Sequence, residues 1–494
     1  MGGAESDPTP SNGGSRHRRS DPARDELGGL SRRSALTVIS AGGLIAVAAG
    51  VGRYLTDDDS SAGPGRRANA LGPVRQVHPL SAMDVRTNLA VAAHPAFADS
   101  VYSDVEAWME RLATMGVTLF RGLYNPQNAG CQKAVAASRR YGVKWLMTIV
   151  PEANDKPTDQ SVDTTAAIVR QIAATCPDVC YGIEGINEPN HNRGGSFPVP
   201  LDWATAYTAP HQKAIWEGVQ ESEALSQVLV LGPSLHDQAA AASYDDAEPS
   251  GGAEHYHQLA DAGVGDWQDR AGVHFYPAGE PPLTDIDRRL QHLLDAFGAD
   301  TPLYMTETGY HNALYQPTNA GGTYRSGEES IGHRPTSEGA TATYIDRAVL
   351  QLADRGIPCA WYECLDDPDP GPKDVAESNF GLWRVETGDP LTWTPKQAVG
   401  KLTRLLDALD EPDGPSYVPD PVRLGVEAAA DDVAFVVAAR RNGSATVFLF
   451  RDLSVWDPFT RTPIEVAPVA VTVTDRRGPR TVEVSAEVTS LPLR

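Results

Sequence analysis

The chain lacks the material for several kinds of protein. Its 494 residues hold only five cysteines, Cys131, Cys176, Cys180, Cys359 and Cys364, too few for a disulfide scaffold at this size. Cys176-Pro-Asp-Val-Cys180 could close a bridge outside the cell, yet no second Cys or His pair has the spacing of a zinc site. Free or adventitiously oxidised thiols are the expectation. Positive charge is also short: 42 Lys and Arg face 65 Asp and Glu, for a formal net charge of −23. No basic stripe exists to meet a phosphate backbone, so nucleic acid is not an expected partner. No Gly-rich fingerprint follows the first strand-like run, which argues against a dinucleotide-binding doubly wound sheet. The apolar run 38–51 is too short for a comfortable transmembrane helix.

What is present begins with an address. Residues 1–30 are rich in Gly, Ser, Pro, Asp and Arg and read as disordered. Arg32-Arg33 then precedes the Gly- and Ala-rich apolar run, the pattern of a bacterial twin-arginine export signal. Ala46-Val47-Ala48 offers a small-residue cleavage site, and an uncleaved segment would act as a membrane tether. We therefore expect a signal region over 1–56, the twin-arginine export machinery as a partner, and a secreted or cell-envelope location. Residues 57–80 read as a flexible linker, with Asp57-Asp58-Asp59 a solvated tether rather than a metal site. Cargo of that machinery folds in a reducing compartment, which agrees with a fold independent of bridges.

From about residue 83, strand-like and helix-like runs alternate, as in parallel βα units. The expected strands are 84–92, 118–123, 144–150, 182–187, 228–232, 271–276, 302–306 and 359–363. Between them lie apolar stripes at helical spacing. One runs through Val101, Val105, Trp108, Met109, Leu112 and Met115. A second is Ile286, Leu290, Leu293 and Leu294, with Thr284 placed as an N-cap, and a third is Tyr344, Ala348, Leu352 and Ala353. Eight such units over 81–411 predict an α/β fold, a (β/α)8 barrel with enlarged loops after strands seven and eight. From 412 to 494 the pattern becomes alternating Val and Phe runs at 433–438, 444–450, 469–474 and 481–484, with turns at Asn442-Gly443 and Arg477-Gly478. That predicts a small antiparallel, sandwich-like β-domain, taken as a structural appendage rather than a sugar-binding module.

Two strands end alike. Tyr181-Gly182-Ile183-Glu184-Gly185-Ile186 runs into Asn187-Glu188-Pro189-Asn190, where Pro189 lacks the N–H to continue a ladder. Pro302-Leu303-Tyr304-Met305-Thr306 runs into Glu307-Thr308-Gly309. A carboxyl at the tip of a buried strand must be satisfied or used. Two on one rim of a barrel suit acetal cleavage, which needs one group to protonate the leaving oxygen and another to meet the anomeric carbon.

These motifs resemble clan A glycoside hydrolases, the retaining "4/7" superfamily of cellulases, mannanases, xylosidases and β-glucosidases. The resemblance covers about residues 83–409 and is specific for the clan rather than for one family within it. It implies Glu188 as acid/base, Glu307 as nucleophile and Asn187 as a partner of the sugar 2-hydroxyl. His274 and Tyr276 match the strand-six His-x-Tyr, whose Tyr holds the nucleophile ionised; a satisfied core pair is the blander alternative. Arg121 matches the strand-two Arg near the nucleophile. Trp361 matches the strand-eight Trp that stacks on the sugar, although Tyr362 could take that direction instead. Ile186 stands where many relatives carry Trp, so the acceptor side of the cleft should differ. The expected activity is retaining hydrolysis of a poly- or oligosaccharide with no metal or organic cofactor. Glu188 should have a raised pKa and Glu307 should stay ionised. The alternatives are a non-catalytic carbohydrate-binding envelope protein on the same barrel, and a transglycosylase.

Overall fold

The structure, a computed structural model, describes residues 71–97, 99–149, 159–189, 203–235, 252–314, 334–367, 376–411 and 416–493. The expected signal region lies outside the described residues, as do 315–333 and 368–375 of the two long loops.

Eight parallel strands form one sheet, and each follows an expected run: Leu89–Ala92, Leu119–Leu123, Lys144–Thr148, Cys180–Glu184, Leu229–Leu231, Ala271–His274, Leu303–Thr308 and Cys359–Trp361. They are called strands one to eight here. The order in the sheet is 5-4-3-2-1-8-7-6. Parallel bridges Leu231↔Arg270 and Leu235↔Val273 join strands five and six and complete the ring. The result is an α/β barrel of the (β/α)8 type.

Alternation along the strands divides the core in two. Ala90, Leu119, Leu146, Leu229, Leu231, Tyr304 and Ala360 fill the barrel interior. Val91, Phe120, Trp145, Met147, Ile183, Val273, Met305 and Trp361 pack outward against the helices. Gly122 is required by a close approach of backbones: a Cβ there would lie 2.1 Å from the Ala93 carbonyl oxygen.

Three local expectations change. The run read as a strand over 84–92 begins with a helix, Ala82–Thr87, because Ser81 caps it by accepting the Asp84 N–H at 3.2 Å. Thr284 is not the N-cap of Ile286–Phe297; that position is Asp285, in a left-handed conformation and without a side-chain cap bond. Val101 belongs to a separate 3-10 turn, and the helix Val105–Thr114 starts at Asp104, whose carboxylate accepts the Ala107 N–H.

The C-terminal strands form two four-stranded sheets with a shared core of Leu424, Val426, Val437, Val447, Leu449, Val471 and Val473. Part of the stretch read as linker joins them. Gly72–Val77 pairs antiparallel with Val422–Ala428, and Leu80–Ser81 pairs parallel with Val433–Ala439. The sandwich therefore takes strands from both sides of the barrel in the sequence. It is fastened to helix Glu338–Asp354, where Arg347 donates to the Leu453 carbonyl and to Asp452, each at 2.8 Å.

Candidate active site

Strands two, four, six and seven deliver their polar side chains to one end of the barrel, the end at which the strands terminate. Leu119 faces the interior and Phe120 the helices, so Arg121 returns to the interior. Its guanidinium is buried and meets three groups. Nε and Nη2 donate to Glu184 Oε2 at 3.2 and 2.8 Å, Nη2 donates to Asn187 Oδ1 at 3.0 Å, and Nη1 donates to Glu307 Oε1 at 3.4 Å. One cation thus ties the ends of strands four and seven to strand two.

Glu184 is the first residue that the sequence reading left unassigned. It is fully buried and accepts from Thr148 Oγ1 at 2.7 Å and Ser234 Oγ at 2.5 Å besides Arg121. Thr306 Oγ1 donates to Ser234 Oγ at 2.8 Å, which directs the serine proton to Glu184. Burial raises the Glu184 pKa, while Arg121 and the two hydroxyls oppose the rise. The available signal was a Glu at an inward position of an apolar strand, two residues after Gly182.

Beyond strand four the backbone turns sharply. Asn187 bridges to Ser234, the Glu188 N–H donates to the Ser234 carbonyl at 2.8 Å, and Glu188 has a φ of 44°. A non-glycine residue is held in the left-handed region, which directs the Glu188 side chain toward the barrel axis at an energetic cost.

His274 and Tyr276 lie on one face of the strand-six end, with Phe275 packed outward. His274 Nδ1 stands 3.0 Å from Glu188 Oε1 and 3.8 Å from Glu307 Oε2. The Tyr276 hydroxyl donates to Glu307 Oε2. Glu188, Glu307, His274, Asn187 and Arg121 are each under 5% exposed, so the carboxyls are shielded from bulk solvent and charge interactions between them are strengthened.

Trp361 lies elsewhere. It points outward from strand eight into the strand–helix layer, fully buried, with its ring 5.9 Å from Tyr310. The reason is parity: Ala360 faces the interior, so Trp361 cannot. Tyr362 takes the inward direction and forms an aromatic wall with Tyr276 and Phe380, at ring distances of 6.4 and 5.2 Å. The peptide between Tyr362 and Glu363 is cis.

Behind that wall is a second unassigned group. Glu363 accepts the Tyr102 hydroxyl at 2.8 Å, and His94 Nε2 is 2.9 Å away. Burial, with Arg121 nearby, lowers the His94 pKa to about 3, and burial raises that of Glu363 well above the carboxyl range. Burial thus favours the neutral form of both groups, and their 2.9 Å approach does not have hydrogen-bond geometry. The His94 ring lies 5.7 Å from Tyr362 and so supports the wall. Asp366 serves structure: Lys396 Nζ, itself buried, donates to it at 2.7 Å, to Asn312 Oδ1 at 3.1 Å and to the Asn379 carbonyl at 3.0 Å. That clamp holds the segments after strands seven and eight together. Among the described residues no group of three or more His, Cys, Asp or Glu is arranged to hold a metal ion.

No protein-family profile and no curated protein matches the chain. Solved structures do match it in outline. A family 39 glycoside hydrolase from Bacteroides cellulosilyticus is 15% identical, with 84% of this chain and 81% of that one covered and a TM-score of 0.49. An endo-β1,6-glucanase is 13% identical over 86% and 93%, with a TM-score of 0.49. A β-glucosidase from Thermotoga maritima is 12% identical over 65% and 98%, with a TM-score of 0.43. At this level the likeness is one of barrel architecture, and the reading of the chemistry rests on the side chains described above.

Proposed function

We propose that the chain is a retaining glycoside hydrolase acting on a poly- or oligosaccharide. One observation carries the reading: a single nitrogen, His274 Nδ1, reaches Glu188 at 3.0 Å and Glu307 at 3.8 Å. A shared nitrogen neighbour puts both carboxyls in one site, a placement compatible with double displacement, where the separation is about 5–5.5 Å. Inverting enzymes keep about 6.5–9.5 Å between the groups to admit a water.

Glu307, held by Tyr276 and Arg121, attacks the anomeric carbon as a carboxylate. The carbon–oxygen bond to the leaving group breaks, and the Glu188 proton passes to the departing oxygen. Glu188, now a carboxylate, takes a proton from water; the water oxygen bonds to the anomeric carbon and the Glu307 ester is released. Asn187, oriented by Arg121, presents its amide to the sugar 2-hydroxyl. Tyr362, rather than Trp361, supplies the ring beneath the sugar. Export by the twin-arginine route, with a secreted or envelope location, belongs to the same reading.

The test is activity of the purified protein on a panel of aryl glycosides and polysaccharides beside Glu307→Ala and Glu188→Ala. Hydrolysis by the wild type and its loss in Glu307→Ala support the reading, and equal activity in all three defeats it. Product analysis with added sugar acceptor separates hydrolysis from transfer. Inactivity of the wild type with glycan binding intact would favour a binding protein.

A further inference from the structure

Just past the end of strand five, the chain fastens itself to both neighbouring strands. Ser234 bridges to Asn187 beyond strand four, and Leu235 bridges to Val273 of strand six. The Ser234 carbonyl accepts the Glu188 N–H at 2.8 Å, and Glu188 is the residue held at a φ of 44°. A conformation of that kind persists only where its surroundings over-determine it, and this bond is one such constraint. Ser234 is itself fully buried.

Its hydroxyl is equally committed. Ser234 Oγ lies 2.5 Å from Glu184 Oε1 and 2.8 Å from Thr306 Oγ1, and Thr306 Oγ1 is also 3.0 Å from the Val273 carbonyl. Gly272 makes the room, since a Cβ there would stand 2.5 Å from Ser234 Oγ. Strands four to seven thus meet at one oxygen, and Thr306 is the residue before Glu307. Each hydroxyl has one proton to give. When Glu184 is ionised, Ser234 donates to it, and Thr306 donates to Ser234 or to the Val273 carbonyl. When Glu184 is protonated, the acid donates to Ser234, Ser234 to Thr306, and Thr306 to the Val273 carbonyl. The chain is therefore satisfied in both states, and Ser234 carries the switch between them. Around Glu184 stand Arg121 from strand two, which it contacts, and Glu307 from strand seven, which shares that guanidinium. Tyr304 faces it from within the barrel, and Glu184 disfavours ionisation of that hydroxyl. Glu188 and His274 complete the titratable set at the site.

We propose that Ser234 is a positioning residue for both catalytic carboxyls: its carbonyl fixes the backbone of Glu188, and its hydroxyl holds the Glu184 carboxylate that aims Arg121 at Asn187 and Glu307. The proposal rests on the glycoside hydrolase reading and extends it to strand five. Glu184 is fully buried, and burial opposes its charge. Without the hydroxyl it loses a donor that favours the ionised form, so its ionisation moves to higher pH. Below that pH Glu184 is neutral, and Arg121 loses the charge that holds its Nε and Nη2. The acid limb of the rate profile then follows Glu184 upward.

The test measures pH profiles of kcat/KM for the full chain and its Ser234→Ala, Thr306→Val, Glu184→Gln and Ser234→Ala/Glu184→Gln variants, on an aryl glycoside that the wild type cleaves. Ser234→Ala should lose roughly 10- to 100-fold on the acid side, the scale of one hydrogen bond to a charged group, and recover part of it as pH rises. Its acid limb should move up by about one pH unit or more, one unit being tenfold. Thr306→Val should move the limb in the same direction by less, which keeps the proposal open to refutation should Ser234→Ala fail to fold. In the Glu184→Gln background, Ser234→Ala should move the limb no further, because the titrating group is gone. A loss constant across pH would assign Ser234 a structural role only and overturn the proposal. So would unchanged kinetics, or an equal movement of the limb with Glu184 replaced. A wild type inactive on every glycoside would remove the hydrolase reading and this role with it, whereas the other adverse results remove the role alone.

Discussion

Asp346 is a carboxyl placed where its charge is least welcome. It lies on helix Glu338–Asp354, is 8% exposed, and has no hydrogen-bond partner for Oδ1 among the described residues. Burial raises its pKa from 3.8 to about 7, against the pull of Lys401 and Arg404 and with a further push from Glu487. Lys401 is already engaged with Glu487 at 2.6 Å. Folded Asp346 therefore holds its proton between pH 3.8 and about 7 while the unfolded chain releases it. Stability from this group is full below that window and is lost as pH rises through it. With the nearby cations already included in that value, the gap corresponds to about 2–4 kcal/mol. Asp346→Asn keeps the shape without the charge. It should be the more stable protein at pH 8 by that amount and nearly equal to the wild type at pH 4. Urea unfolding of both across pH 4–8 measures this. A difference constant with pH would refute the reasoning.

Other consequences lie in the site. Glu184→Gln should lower kcat/KM roughly 10- to 100-fold, the worth of a charged hydrogen bond, because Arg121 loses the partner that sets its aim toward Asn187 and Glu307; unchanged kinetics would remove Glu184 from the positioning network. Trp361→Phe should lower the unfolding midpoint but leave kcat/KM of the folded enzyme intact, whereas Tyr362→Ala should cut kcat/KM about tenfold or more. The reverse pattern would return the stacking role to Trp361. Glu188→Ala should be slow on glycosides with poor leaving groups yet release an activated phenol in a rapid burst, since only the protonation step is lost from glycosylation. Loss of equal size on both substrate types would contradict its role as acid.

The barrel was legible because parallel strands buried on both faces read as apolar runs, and each expected run holds its strand. The 84–92 run reads as one strand because nothing in its apolar pattern marks the helix capped at Ser81. Gly72–Val77 looks polar and flexible because it is a half-exposed strand whose partner, Val422–Ala428, lies some 350 residues away in sequence. Asn187, Glu188, His274, Tyr276, Arg121 and Glu307, each named by motif, converge at one end of the barrel. Trp361 packs on the outer face because a motif does not report side-chain parity, which the inward-facing Ala360 fixes. Glu184, His94 and Glu363 were missed because each depends on partners from other strands, and a lone Glu in an apolar run names none of them.

The most direct measurement concerns Glu307. Glu307→Ala, incubated with an activated aryl glycoside and sodium azide, should regain turnover and yield a glycosyl azide of inverted anomeric configuration by NMR, because azide occupies the place of the missing carboxylate. Hydrolysis by Glu307→Ala at the wild-type rate, or azide rescue confined to Glu188→Ala, would contradict the assignment of Glu307 as the nucleophile.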